Sequence, residues 1–286
     1  MKRWLLAIRP KTLGISVVPV LVGTSLAWRE TAAFQLLPML AALAGALLIQ
    51  IGTNLHNDAS DFERGTDRAD RQGPARAAAQ GWFTPRQIKQ AAALAFGLAF
   101  CTGVYLVLVG GWPIVFIGLF SLLAGYTYTG GPRPIAYSAG GELFVFIFFG
   151  LAAVLGSYYV QALDFSRDAL STACAIGLLA AAVLLVNNYR DLECDRKANK
   201  LTLSHYLGRQ RSRQFYAILL LAPFLLPLLI EAGGSTWLVL LALPAALLLL
   251  RRFFSETPGA AFNQILARTA QLQMVYGLLL SCALLL

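Results

Sequence analysis

Long apolar runs recur along the whole chain, each near the ~20 residues that a helix needs to cross a bilayer. They occupy residues 12–28, 36–57, 85–109, 112–128, 139–161, 170–189, 215–229, 237–250 and 270–286. Lipid offers the backbone no hydrogen-bond partners, so such runs have to be helical. The expectation is an all-α, polytopic membrane protein with about nine transmembrane helices around a central cavity open to the cytoplasmic side, built as one domain over residues 1–286. Composition agrees, with 58% hydrophobic and 13% charged residues, where a soluble domain carries about 25% charged. The seventh run holds Pro223 and Pro227 and the eighth is short. The basic start MKRWLLAIRPKTL has no small-residue cleavage site behind it, so the first run is expected to stay as a helix.

Charge sets the expected orientation. With the N-terminus inside, all but Arg29 and Arg167 of the 23 Lys and Arg residues fall on inner segments, as the positive-inside rule requires. The net charge of +9 then reflects topology and attraction to a lipid bilayer with anionic headgroups, not nucleic acid. The expected location is the cytoplasmic (inner) membrane, with the N-terminus in the cytoplasm. Cys101, Cys174, Cys194 and Cys282 form no CxxC pair, so no disulfide framework is expected.

The polar mass is concentrated in two inner segments, 58–84 and 190–214, which begin alike. The first motif reads NLHNDASDFERGTDRADRQGPAR and the second NNYRDLECDRKANKLTLSHYLGR. Asn54, Asp58 and Asp61 share one helical face at i, i+4 and i+7, as do Asn187, Asp191 and Asp195 at i, i+4 and i+8. Asp67 follows just beyond Gly65. The repeat hints at an internal duplication relating helices 1–4 to helices 5–8. Carboxylates at a membrane boundary are costly, and two matching sets on one side call for a compensating cation. Mg²⁺ fits, because it takes oxygen ligands and pairs one or two carboxylates with substrate phosphates. A solvated helix end is the bland reading of either motif alone; the in-phase pair is the specific signal.

Basic neighbours fit a diphosphate: Arg71 and Arg76 around Gly73-Pro74, Lys197 and Lys200 after the second motif, and Arg9 and Lys11 before the first span. Each also satisfies the positive-inside pattern. Tyr126 and Tyr128 are candidates for lining a site where an allylic cation forms, or for the interfacial aromatic belt. Glu142 stands near the start of helix 5, facing the cavity or the boundary. His56 and His205 lack a zinc motif, and His56 is read as structural.

These motifs resemble the UbiA superfamily of intramembrane aromatic prenyltransferases, and the resemblance covers nearly the whole chain. Within it the chain is most similar to the branch that prenylates 1,4-dihydroxy-2-naphthoate in menaquinone biosynthesis. RPKTL with VPVLVGT, NDASDFERGTD with RQGPAR, YTGGPRPIAY with GELFVFIFFG, and NNYRDLECDRKANKLTL carry the likeness. Asn199 stands where that branch often has Gly, and His205-Tyr206 where it has an apolar or basic pair. The resemblance implies Mg²⁺-dependent transfer from a polyprenyl diphosphate to the aromatic acceptor with loss of CO₂ and diphosphate. It places Mg²⁺ on the two Asn/Asp trios, the tail in a lipid-facing groove, and the acceptor proton on Asp67 or Asp195. 4-Hydroxybenzoate is the alternative acceptor. A CDP-alcohol phosphotransferase is disfavoured because no DGxxAR motif occurs, and a soluble terpene synthase by the spans. A cation-coupled transporter is the non-enzyme alternative; its ion sites would sit near the midplane, whereas these acids sit at one face.

Overall fold

The computed structural model describes residues 2–67, 73, 75–230 and 234–286. Among the described residues the chain is helical and contains no strand. The helices are α1 (Lys2–Ala7), α2 (Pro10–Thr31), α3 (Leu36–Glu63), α4 (Pro85–Gly110), α5 (Trp112–Thr127), α6 (Gly141–Val145), α7 (Gly156–Ala162), α8 (Arg167–Lys197), α9 (Leu203–Leu221), α10 (Leu243–Ser255) and α11 (Phe262–Leu285). A π-helical stretch, Phe146–Leu155, joins α6 to α7 into one apolar rod. Each apolar run of the sequence lies on helical structure. Six are long and apolar enough to cross a membrane: Thr12–Thr31, Leu36–Glu63, Pro85–Gly110, Gly141–Ala162, Arg167–Lys197 and Ser235–Ser255. Trp112–Thr127 is apolar but shorter. The chain is thus a multi-pass membrane protein.

Two helices run past their apolar segments, and this positions the site. α3 continues to Glu63 and α8 to Lys197, so both acidic motifs ride on regular helix beyond the greasy part. α8 also starts early, because the Ser166 hydroxyl caps it by accepting from the Ala169 N–H at 2.9 Å. α4 begins at a capping box, Thr84 with Gln87, and Pro85 in its first turn.

α8 is the central helix, buried from Ala169 to Leu192 on most sides. Its Leu179, Leu185 and Tyr189 pack with Val22 and Leu26 of α2, Tyr216 of α9, Phe253 of α10 and Phe262 of α11. Small residues bring the π-helical rod against α8: a Cβ added at Gly150 would lie 2.6 Å from the Ala173 carbonyl oxygen and from Gly177 Cα. Close backbone approach through Gly is how helices associate in lipid. The outer surface is apolar; Leu108 is 81% and Trp112 75% exposed, and lipid rather than water suits such a surface.

The seventh run is split where its prolines lie. α9 ends at Leu221 and a 3₁₀ segment, Ala222–Leu228, follows. Pro227 has no N–H, so the 3₁₀ bond to the carbonyl three residues back, that of Phe224, is missing. The Tyr276 hydroxyl of α11 ties down the same turn, donating to the neighbouring Pro223 oxygen at 2.6 Å. Tyr276 is fully buried, so Tyr276→Phe should remove this buried hydrogen bond while keeping the ring's packing. We expect about 0.5–1.5 kcal/mol of lost stability, read as a lowered melting temperature in detergent; an unchanged melting temperature would show that the Tyr276 bond does not hold the 3₁₀ segment.

Candidate active site

A cavity of about 920 Å³ runs between the helices, apolar along most of its walls and polar at one end. Asn54, Asn57 and Asp61 of α3 line that end together with Asn187 and Asn188 of α8. Arg9, Arg76 and Lys200 join them. The first motif therefore sends Asn54 and Asp61 into the basin and the second sends Asn187, while Asp58, Asp191 and Asp195 are not among its lining residues.

The first motif is bound to the loop that follows it. Asp58 is 1% exposed, and its two carboxylate oxygens accept from the backbone N–H groups of Ala77 and Ala78 at 2.8 and 2.9 Å. A small apolar cluster of Leu55, Ala59, Ala77, Ala78 and Ile88 closes beneath this clamp, with Trp4 stacked on Phe83 at 3.9 Å above it. The clamp delivers Arg76 to Asp61 at 2.8 Å and to Asp67 at 3.4 Å. Burial opposes charge on this guanidinium, but Asp61, Asp67 and Asp58 outweigh it and raise its pKa, so it stays a cation. Its Nη1 is buried without a hydrogen-bond partner among the described residues, a spare donor in the polar end. Tyr137 donates to Asp61 Oδ1 at 2.9 Å. Burial, and then the Asp61 charge, push its phenol above the usual range and keep it a donor. Asn54 donates to the Ile8 carbonyl at 3.0 Å and the Thr12 hydroxyl at 3.2 Å, tying α3 to the start of α2.

The second motif carries its own counter-ions. Arg190, 4% exposed, grips Asp191 through Nε at 2.8 Å and Nη2 at 2.5 Å. The same guanidinium donates to Asn187 Oδ1 at 2.9 Å and to Asn263 of α11 at 2.7 Å. Lys200 lies 3.3 Å from Asp195 and is within electrostatic reach of Asp61 in the other motif. Asp195 Oδ2 is buried and accepts no hydrogen bond among the described residues. Asn199, in the turn between them, has φ 54°; Asn tolerates this left-handed conformation nearly as Gly does, which explains its standing where Gly is common.

The remaining expected site residues divide. Arg9 and Tyr128 line the cavity, and Tyr128 stacks on Phe144 at 5.7 Å. Tyr126 does not line it: the ring is half-exposed and rests on His56 at 4.8 Å, because residues two apart on a helix point to different sides. Lys197 is exposed beyond the rim. Arg71 and the side chain of Lys11 lie outside the described residues. Sequence reasoning passed over Arg190, Tyr137 and Asn263. Arg190 was counted only as an inner-loop charge, although it directly precedes Asp191; nothing local marks the other two.

The donor set fits a divalent cation that arrives with phosphate. Its free atoms are carboxylate and amide oxygens; Asp195 Oδ2 is buried and makes no hydrogen bond among the described residues, and with only the Lys200 ammonium beside it at 3.3 Å it keeps lone pairs for a metal ion. Among the described residues no three His, Cys, Asp or Glu side chains are gathered closely enough to hold an ion alone; a Mg²⁺ that arrives with phosphate takes part of its shell from phosphate oxygens and water.

The fold and basin define an intramembrane helical enzyme of the kind that handles an anionic head and an apolar tail together. The chain belongs to the UbiA prenyltransferase family, whose profile matches residues 16–266, and is a prenyltransferase. A 1,4-dihydroxy-2-naphthoate octaprenyltransferase of Escherichia coli (strain K12) is 38% identical, over 96% of this chain and 92% of that one. The protein of the same description from Bacillus subtilis (strain 168) is 37% identical, over 97% of this chain and 90% of its own length. A UbiA homolog from Archaeoglobus fulgidus, solved bound to DMAPP and Mg²⁺, shares the fold with a TM-score of 0.73 at 16% identity, covering 99% of each chain.

The Asp58 clamp yields a local prediction. Asp58→Asn keeps one accepting oxygen and loses the other, so the Ala77 and Ala78 amides should exchange with solvent about ten times faster, the loss of one hydrogen bond. Unchanged exchange at both amides would mean that the apolar cluster alone holds the loop.

Proposed function

We propose that this protein transfers a polyprenyl group from polyprenyl diphosphate to 1,4-dihydroxy-2-naphthoate, releasing diphosphate and CO₂, in the cytoplasmic membrane with its N-terminus in the cytoplasm. One observation carries the reading: an apolar cavity ends in a basin lined by Asn54 and Asp61 of the first motif, Asn187 of the second, and Arg9, Arg76 and Lys200. An apolar tail fits the walls and a diphosphate fits the basin. The descriptions of the bacterial relatives supply the acceptor, and the sequence resemblance supplies the menaquinone pathway.

Asn54, Asp58, Asp61 and Asp67 would hold Mg²⁺ on one side, and Asn187, Asp191 and Asp195 on the other. When bound, the metal supplies Lewis-acid neutralisation of the departing diphosphate. Asp58 can serve both roles, since a carboxylate offers about four acceptor positions and the loop uses two. Arg76 turns its spare Nη1 donor on the phosphates. Lys200 adds a point charge, and Arg9 faces the same end. As the C–O bond ionises, Tyr128 and Phe144 present aromatic faces along the wall, which stabilise an allylic cation. The acceptor carbon bearing the carboxylate attacks, and CO₂ leaves. The matching placement of the motifs at the ends of α3 and α8 supports an ancestral duplication.

Asp61→Asn or Asp195→Asn should slow Mg²⁺-dependent transfer by about 100-fold or more, several kcal/mol of transition-state stabilisation, while the protein still inserts; Asp61→Asn also weakens the buried pair with Arg76 and should lower the melting temperature. Assayed with both acceptors, wild type should release CO₂ with 1,4-dihydroxy-2-naphthoate and leave 4-hydroxybenzoate unprenylated. Transfer to 4-hydroxybenzoate alone would falsify the assignment of acceptor.

A further inference from the structure

Glu142 is a buried acid that the transfer chemistry above does not use. It sits in the first turn of α6, 2% exposed, whereas the buried Asp61 and Asp191 hold arginines and the buried Asp58 holds two backbone amides. Its partner is instead an amide: Asn188 Nδ2 donates to Glu142 Oε1 at 3.0 Å. The second oxygen, Oε2, is buried with no hydrogen-bond partner among the described residues. Asn188 is 4% exposed and lines the cavity, one residue on from the Asn187 of the acidic face.

The pair fixes the direction of the Asn188 amide. An ionised carboxylate only accepts, and a protonated one carrying its proton on Oε2 still accepts at Oε1. In both states the NH₂ of Asn188 is committed to Glu142, and its carbonyl oxygen is turned away, free for a ligand. We infer that Asn188, oriented by Glu142, reads a hydroxyl of the aromatic acceptor, making Asn188 an acceptor-binding residue and Glu142 its positioning residue. The inference rests on the proposed reaction and assigns this part of its site.

The polarity of the contact selects the occupant. A carbonyl oxygen repels phosphate oxygens and gains nothing from an isoprenoid chain. Of the reacting molecules, only the hydroxylated arene brings an O–H donor. Asn188 lies about 100° round α8 from Asn187, about 60° from Asp191 and about 20° from Asp195; what sets it apart from them is its bond to Glu142, which draws its amide toward α6. The aromatic run of Tyr128, Phe144 and Phe148 lines the same cavity, with successive ring centroids 5.7 and 4.5 Å apart, a wall suited to a flat ring.

The test uses the full-length protein in detergent. Two quantities are read: KM for each substrate with Mg²⁺, and the dissociation constant of 1,4-dihydroxy-2-naphthoate in EDTA, followed by its own fluorescence. Glu142→Leu frees the amide to turn, and should raise both the acceptor KM and its dissociation constant about tenfold. The KM for the prenyl diphosphate and the Mg²⁺ dependence should stay as in wild type. Glu142→Gln, whose carbonyl still accepts from Asn188, should restore acceptor affinity to within about threefold. Asn188→Ala should reproduce the Glu142→Leu pattern and stands in if that variant fails to fold. Wild-type acceptor affinity in both Glu142→Leu and Asn188→Ala overturns the inference. So does a shift confined to Mg²⁺ dependence, or an equal loss for both substrates. If wild type prenylates a different hydroxylated arene, the proposed acceptor fails, and the same split is read with the arene it uses.

Discussion

Carboxylates at the rim of a bilayer have to be neutralised, and the way this chain does it organises everything around the cavity. Removing an ion from water costs several kcal/mol even after the protein relaxes. Asp61, Asp191 and Asp195 each meet a cation: Arg76 at 2.8 Å, Arg190 at 2.5 Å and Lys200 at 3.3 Å. The partners come from different places. Arg76 belongs to the loop after α3, so its pairing requires that loop to fold back over the basin, where the Asp58 clamp holds it. Arg190 sits beside its own partner and spends its remaining donors on Asn187 and Asn263, locking α8 to α11. Lys200 reaches both motifs.

The same arrangement prepares the basin for an anion. Each carboxylate keeps lone pairs beyond those its counter-ion uses, and Arg76 keeps a donor beyond those its carboxylates use. Charge is thus balanced within the protein, yet both signs retain unspent capacity at the mouth of an apolar cavity. A diphosphate joined to a hydrocarbon chain meets that pattern at both ends. The apolar walls give the reaction a setting in which water is scarce, so electrostatic contacts there are stronger than in bulk.

Much of this was legible in the sequence because its cause is local or periodic. Apolar runs of span length force helix, and the spacing of Asn54, Asp58 and Asp61 puts them on one face whatever the tertiary context. Helix ends were harder. Hydropathy stops near Tyr189, but the helix continues to Lys197, because a polar segment can keep helical hydrogen bonds once it has left lipid. Ser166 was a readable cap that hydropathy obscured. The roles of Asp58 and Arg190 were not legible. Asp58 depends on a loop returning some twenty residues later, and neighbours at i and i+1 do not normally face each other on a helix, although the Arg190 side chain is long enough to curl back. Tyr126 and Tyr128 looked equivalent; periodicity alone separates the one on His56 from the one in the cavity.

The central claim is that the ends of α3 and α8 act on one ligand in one basin. Mn²⁺ in place of Mg²⁺, with an unreactive prenyl thiolodiphosphate, allows this to be observed directly by ³¹P hyperfine coupling in electron paramagnetic resonance. The account predicts coupling in the wild-type protein and its loss when either Asp61 or Asp195 is replaced by Asn. Full coupling that survives one of those replacements would mean that a single motif suffices, and would contradict the shared basin.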